Sequence, residues 1–134
     1  LTGFMGRWQK IQDTPRVVCD AGHNIGGISY ITEQLSRVNC KQLRIVFGMV
    51  SDKDITNVLK MMPTGAIYYF TQASIKRAMP AEELKAKAEQ YGLTGNSYPT
   101  VQAALQAAKS ESMESDLIFV GGSCFIVADL LSIG

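Results

Sequence analysis

Five short runs rich in β-branched and aromatic residues punctuate the chain, at Arg16 to Asp20, Leu43 to Val50, Ala66 to Thr71, Asn96 to Tyr98 and Leu117 to Val120. Their length and composition predict strands. Between them apolar residues recur at helical spacing: Ile28, Ile31, Leu35 and Val38, then Ile55, Val58, Leu59 and Met62, then Leu84, Ala88 and Tyr91, then Val101, Ala104, Leu105 and Ala108. These stripes predict amphipathic helices, and the apolar stretch Phe125 to Leu131 predicts one more. Ser51, with Asp54 three residues later, is expected to cap the second helix, and Thr100 the fourth. Continuously apolar strands alternating with helices predict an α/β fold: a Rossmann-like three-layer domain, its mainly parallel sheet covered on both faces. Trp8 to Ile11 is expected to add a short antiparallel edge strand.

Three predicted strands end in polar or glycine-rich turns: Asp20 with His23 and Asn24, Gly48 with Ser51, Asp52 and Lys53, and Gly121 and Gly122 with Ser123. In a parallel sheet these ends share one edge, where ligands bind in the crevice outside the carboxyl ends of the strands. Each residue also has a plainer reading. Asp20 could cap the following helix, and His23, the chain's one histidine, could serve a local hydrogen bond. Arg7 could be a solvated linker residue above a packed Trp8, and Gly121 and Gly122 could simply permit a tight turn. Backbone N–H groups at the Ser123 turn could otherwise hold a carboxylate or phosphate.

Composition narrows the field. At 134 residues and 46% hydrophobic content the chain suffices for one core. Its 13 basic and 12 acidic residues are scattered, so no footprint for nucleic acid or anionic lipid is expected. No apolar run approaches the ~20 residues needed to span a bilayer, and Cys19, Cys40 and Cys124 are read as free thiols, with Cys19 and Cys124 in the core. A soluble, cytoplasmic protein is expected. The start, residues 1–7, reads as a linker, which suggests one domain of a longer protein. No G-x-G-x-x-G or P-loop pattern is present, and one histidine with dispersed cysteines cannot make a zinc site of the usual spacing. A Ser123, His23 and Asp20 hydrolase triad is disfavoured because Ser123 lacks a G-x-S-x-G elbow.

The ordered set Gly6-Arg7-Trp8, Asp20-Ala21-Gly22-His23-Asn24, Phe47-Gly48 with Asp52-Lys53-Asp54, and Gly121-Gly122-Ser123 with Val127-Ala128 resembles the C-terminal domain of folylpolyglutamate synthase, often bifunctional with dihydrofolate synthase, within the Mur ligase superfamily. The family turn usually reads D-G-A-H-N-P. Here Ala and Gly are exchanged, and Ile25 replaces a proline that would rigidify the helix start.

The resemblance implies an ATP-dependent, amide-bond-forming ligase that adds glutamate to folate or dihydropteroate through an acyl phosphate. It implies ATP contacts from Arg7 (phosphates), Asp20 (ribose) and Asn24, a catalytic and glutamate-binding role for His23, and a glutamate carboxylate held at Ser123. It implies no metal ligand in residues 1–134, with Mg2+ and the P-loop belonging to an N-terminal ATPase domain that is this domain's partner. The isolated domain is then expected to be inert. The same domain of a Mur peptidoglycan ligase, or a non-catalytic α/β binding module, are the competing readings.

Overall fold

The structure, a computed structural model, describes residues 7–51 and 54–133. The expectations placed on Gly6, Asp52 and Lys53 lie outside the described residues. Six strands form one sheet: β1 (Gln9–Asp13), β2 (Arg16–Asp20), β3 (Leu43–Phe47), β4 (Ile67–Phe70), β5 (Thr94–Ser97) and β6 (Leu117–Gly121), in the order β1-β2-β6-β3-β4-β5. β1 pairs antiparallel with β2, and all other neighbours are parallel. Five helices are described: α1 (Ile25–Arg37), α2 (Ile55–Met61), α3 (Ala81–Glu89), α4 (Val101–Glu111) and α5 (Cys124–Ile133). Among the described residues no helix is long and apolar enough to cross a membrane.

Period-two burial splits β2, β3, β4 and β6 between two cores. Val18, Ile45, Phe47, Tyr68, Phe70 and Phe119 face α1, α2 and α3. Val17, Cys19, Val46, Tyr69, Ile118 and Val120 face α4 and α5. The chain walks outward from β3 to β5 and then returns to place β6 between β2 and β3. A reversal of direction with right-handed crossovers moves the helices to the other face, which is where α4 and α5 lie. The three-layer expectation therefore holds.

Several boundaries differ from expectation. β3 ends at Phe47, and Val50 reappears as an isolated antiparallel bridge to Ala78. Asp54, not Ser51, occupies the N-cap position of α2. Thr100 caps α4 as expected, its hydroxyl accepting from the Ala103 N–H at 3.0 Å. Cys19 is buried, but Cys124 is exposed at the start of α5, because apolar neighbours in sequence do not decide which side of a helix a residue takes.

At the amino ends of the central strands lies a buried ion cluster. Arg44 bonds Asp116 through Nε at 3.1 Å and the Tyr69 hydroxyl at 2.9 Å, and Tyr69 donates to Glu111. Burial pushes the Tyr69 hydroxyl up to about 12, reinforced by its bond to Glu111. Burial opposes ionisation of Asp116 as well, but the Met113 N–H and the Arg44 guanidinium outweigh it and hold the carboxyl below its ordinary 3.8. The group is depressed in the folded state, so its contribution is complete above the unfolded value and disappears as pH falls through the folded one. Thermal melts across pH 2–7 should show Asp116→Asn with a lower midpoint at pH 7 and a shallower loss on acidification than the wild type.

The β6–α5 turn admits glycine only. Gly122 has φ +103°, and a Cβ there would lie 2.4 Å from the Gly48 carbonyl oxygen. Gly122→Ala should cost at least about 2 kcal/mol from backbone strain and the clash, read as a lower denaturant midpoint with unchanged slope.

Candidate functional site

β2, β6 and β3 end level with one another: Asp20 pairs with Gly121, and Gly121 with Phe47. β6 leads to α5 on one face, whereas its neighbours lead towards α1 and α2 on the other. The loops therefore part above β6 and open a crevice there.

This edge holds a cleft of about 430 Å³ lined by Arg7, Asp20, His23, Asn24 and Tyr30 with the intervening small residues. Its floor is built around Asp20, which is 1% exposed. One carboxylate oxygen accepts the Gly22 N–H at 2.8 Å, and the other accepts the Trp8 N–H at 2.9 Å. Asp20 thus fastens the start of the chain to the β2–α1 loop instead of capping α1. Asn24 is the cap, its side-chain oxygen accepting from the Gly27 N–H at 2.8 Å.

Trp8 takes a left-handed backbone conformation, φ +42°, which costs a bulky residue about 1–3 kcal/mol. Two interactions oppose that cost: the bond to Asp20, and stacking of the indole on Phe119 at 5.8 Å. The turn at Trp8 leaves Arg7 exposed beside the cleft.

Close packing also explains the order of small residues in the loop. A Cβ on Gly27 would lie 3.0 Å from the Gly22 Cα, so the loop and the first turn of α1 touch backbone to backbone. A Cβ on Gly22 would lie 3.1 Å from the Gly27 carbonyl carbon and from the Ile31 Cδ1, a tight fit, whereas the chain at Ala21 is half-buried.

His23 is exposed, and its Nδ1 lies 3.3 Å from the Ala21 carbonyl oxygen. A carbonyl can only accept, so a hydrogen bond there requires the proton on Nδ1, leaving Nε2 of the neutral ring as an acceptor. Neither Asp20 oxygen is bonded to His23, and a serine-protease-like relay is not formed. Cys19, next to Asp20, has its thiol pushed up to about 11, first by burial and then by the Asp20 charge. That is the signature of a packed thiol, not of a nucleophile.

The structure therefore brings Arg7, Asp20, His23 and Asn24 into one cleft. Ser123 is not among its lining residues. It lies at the end of the neighbouring strand, 2% exposed, with its hydroxyl oxygen accepting from the Phe125 N–H at 3.0 Å. Sequence reasoning missed Tyr30, which is 43% exposed and walls the cleft. The available signal was an aromatic between the buried positions Ile28 and Ile31, off the apolar stripe of α1. Among the described residues no group of three or more His, Cys, Asp or Glu side chains converges as a metal site would require.

Similar proteins share this arrangement of chain and fold. Over 133 residues the chain is 29% identical to a dihydrofolate synthase/folylpolyglutamate synthase of Buchnera aphidicola subsp. Schizaphis graminum, a match covering 96% of this chain and 31% of that protein. The Escherichia coli K12 protein of the same description is 30% identical, with 96% and 30% covered. Among solved structures, E. coli FolC in complex with ADP superposes with TM-score 0.86 at 27% identity, and a bifunctional folylpolyglutamate synthase/dihydrofolate synthase with Mn, AMPPNP and L-glutamate bound superposes with TM-score 0.83 at 25% identity. Each superposition covers 96% of this chain and 31% of the other. The chain thus spans about a third of the length of these relatives. With residues 6–124 matching the family described as Mur ligase, glutamate ligase domain, and with the fold in agreement, the chain belongs to that family.

Proposed function

We propose that this chain is the C-terminal domain of a cytoplasmic, ATP-dependent folylpolyglutamate synthase, which adds L-glutamate to folate and, in a bifunctional parent, to dihydropteroate. The observation that carries the reading is the cleft itself. Arg7 is held at its rim by the Trp8–Asp20 hydrogen bond, next to a capped helix start where the exposed Gly26 puts no side chain between the backbone and an anion. Folate enzymes matched over nearly the whole chain support the folate branch over the peptidoglycan branch of the same fold.

In this reading the terminal carboxylate of the folate attacks the γ-phosphorus of ATP. The bond to the β,γ-bridging oxygen breaks and ADP departs. The glutamate amine then attacks the acyl carbon, inorganic phosphate leaves, and the ammonium proton is lost to a base. Acyl phosphate, ADP and a dicarboxylate repel one another, so the chemistry needs donors from both walls of a closed cleft.

This chain supplies one wall. Arg7 faces the phosphates, and Asn24, its oxygen engaged with Gly27, offers its amide N–H groups. Asp20 positions the loop and borders the ribose. His23 accepts from the substrate ammonium through Nε2, and Ser123 donates to a carboxylate of glutamate. A divalent cation, Mg2+, neutralises phosphate charge in such reactions. Its ligands belong to the N-terminal ATPase domain, together with the P-loop, and closure of that domain completes the site.

The test is glutamate transfer by the full-length ligase and by this chain alone. The isolated chain should show none. In the full-length enzyme His23→Ala should lower kcat about 10²-fold or more, the range for loss of a positioned acid–base group. Ser123→Ala should mainly raise KM for glutamate. Asp20→Asn, which sets an amide donor against a backbone N–H, should raise KM for ATP. Turnover by the isolated chain, or variants indistinguishable from wild type, would overturn the assignment.

A further inference from the structure

A cation on the β4–α3 loop has no role in the reading above. Arg77 is exposed, yet its backbone is pinned to the segment that follows β3. Its carbonyl accepts the Ser51 N–H at 3.4 Å, Ala78 bridges Val50, and the Met79 N–H bonds the Met49 carbonyl at 2.8 Å. Its guanidinium lies over the Phe125 ring at 5.8 Å, and Phe125 is the residue whose N–H the Ser123 hydroxyl accepts. Backbone pairing and ring together hold the cation at the first turn of α5. Arg44 and Arg37 both have carboxylate partners. Among the described residues none pairs with Arg77.

Glutamate reacts through its amine, so neither of its carboxylates takes part in bond formation. An enzyme that must prefer it to glutamine, its neutral isostere, needs a cation where the second carboxylate falls, and a hydroxyl cannot make that distinction by charge. α5 itself carries no basic residue. A planar guanidinium placed over an aromatic ring suits bidentate pairing with a carboxylate.

We propose that Arg77 is a specificity-determining residue for the amino-acid substrate, pairing with one carboxylate of the incoming glutamate while Ser123 and the start of α5 hold the other. The assignment rests on the ligase reading of this edge.

Steady-state kinetics of the full-length ligase carrying Arg77→Gln and Arg77→Lys test it. Arg77→Gln should raise KM for glutamate about 10- to 100-fold, the loss expected for a charged hydrogen-bonding partner. KM for ATP and for the folate, and the thermal midpoint, should stay at their wild-type values. The preference for glutamate over glutamine should shrink, and Arg77→Lys should recover part of it. An unchanged KM for glutamate would overturn the proposal, as would a joint rise of all three KM values with a lowered thermal midpoint, which marks a loop clasp only. Normal transfer by wild type with a normal Arg77→Gln removes Arg77 alone, whereas no transfer by wild type removes the ligase reading with it.

Discussion

A single carboxylate holds the functional edge together. The two oxygens of Asp20 accept N–H groups from chain segments fourteen residues apart, one at Trp8 and one at Gly22. The group sits at the end of β2, beneath the loop, at 1% exposure. Without it the left-handed turn at Trp8 would lose the polar contact that opposes its strain, and Arg7 would have no fixed place at the rim. The cleft is therefore a property of a pairing between the start of the chain and the first strand–loop–helix unit, not of that unit alone.

The sheet gives this pairing its rigidity. β2, β6 and β3 end in register, and both faces are covered, so the strand ends cannot shift singly. The turn after β6 is equally constrained, since Gly122 passes within contact distance of Gly48. At the opposite ends of the same strands the Arg44, Asp116, Tyr69 and Glu111 cluster ties β3, β4, α4 and the approach to β6. Ionic constraint lies at the amino ends of the strands and open, ligand-accessible polar groups at the carboxyl ends, a division that lets stability and binding be altered separately.

Much of this was legible in the sequence. The apolar stripes of α1, α2, α3 and α4 and the β-branched runs predict the three layers, because burial on two faces leaves a period that survives any detail of packing. Asp20, His23 and Asn24 were legible as a group because they fall together at a strand end. Their division of labour was not: that Asn24 caps and Asp20 reaches back to Trp8 depends on a contact across twelve residues, and no local rule encodes it. Cys124 was misplaced because α5 is apolar around most of its circumference, so the pattern carries little information about which side faces out. Tyr30 and Arg77 escaped notice for a related reason. Each stands beside a recognisable element, and its position near the crevice arises only from how the strands are ordered.

That strand order has a consequence for how the domain is made. β6, near the end of the chain, lies between β2 and β3, so during synthesis the first strands emerge with a vacancy in the middle of their sheet. β2 and β3 have no direct pairing and await a strand that arrives some seventy residues after β3, a long-range closure of the kind that slows folding. Trp8 meets its stacking partner Phe119 only then. The domain cannot present a finished binding edge before β6 has been made, and a chain clipped before Leu117 would expose two unsatisfied strand edges instead of a slightly shorter version of the same fold.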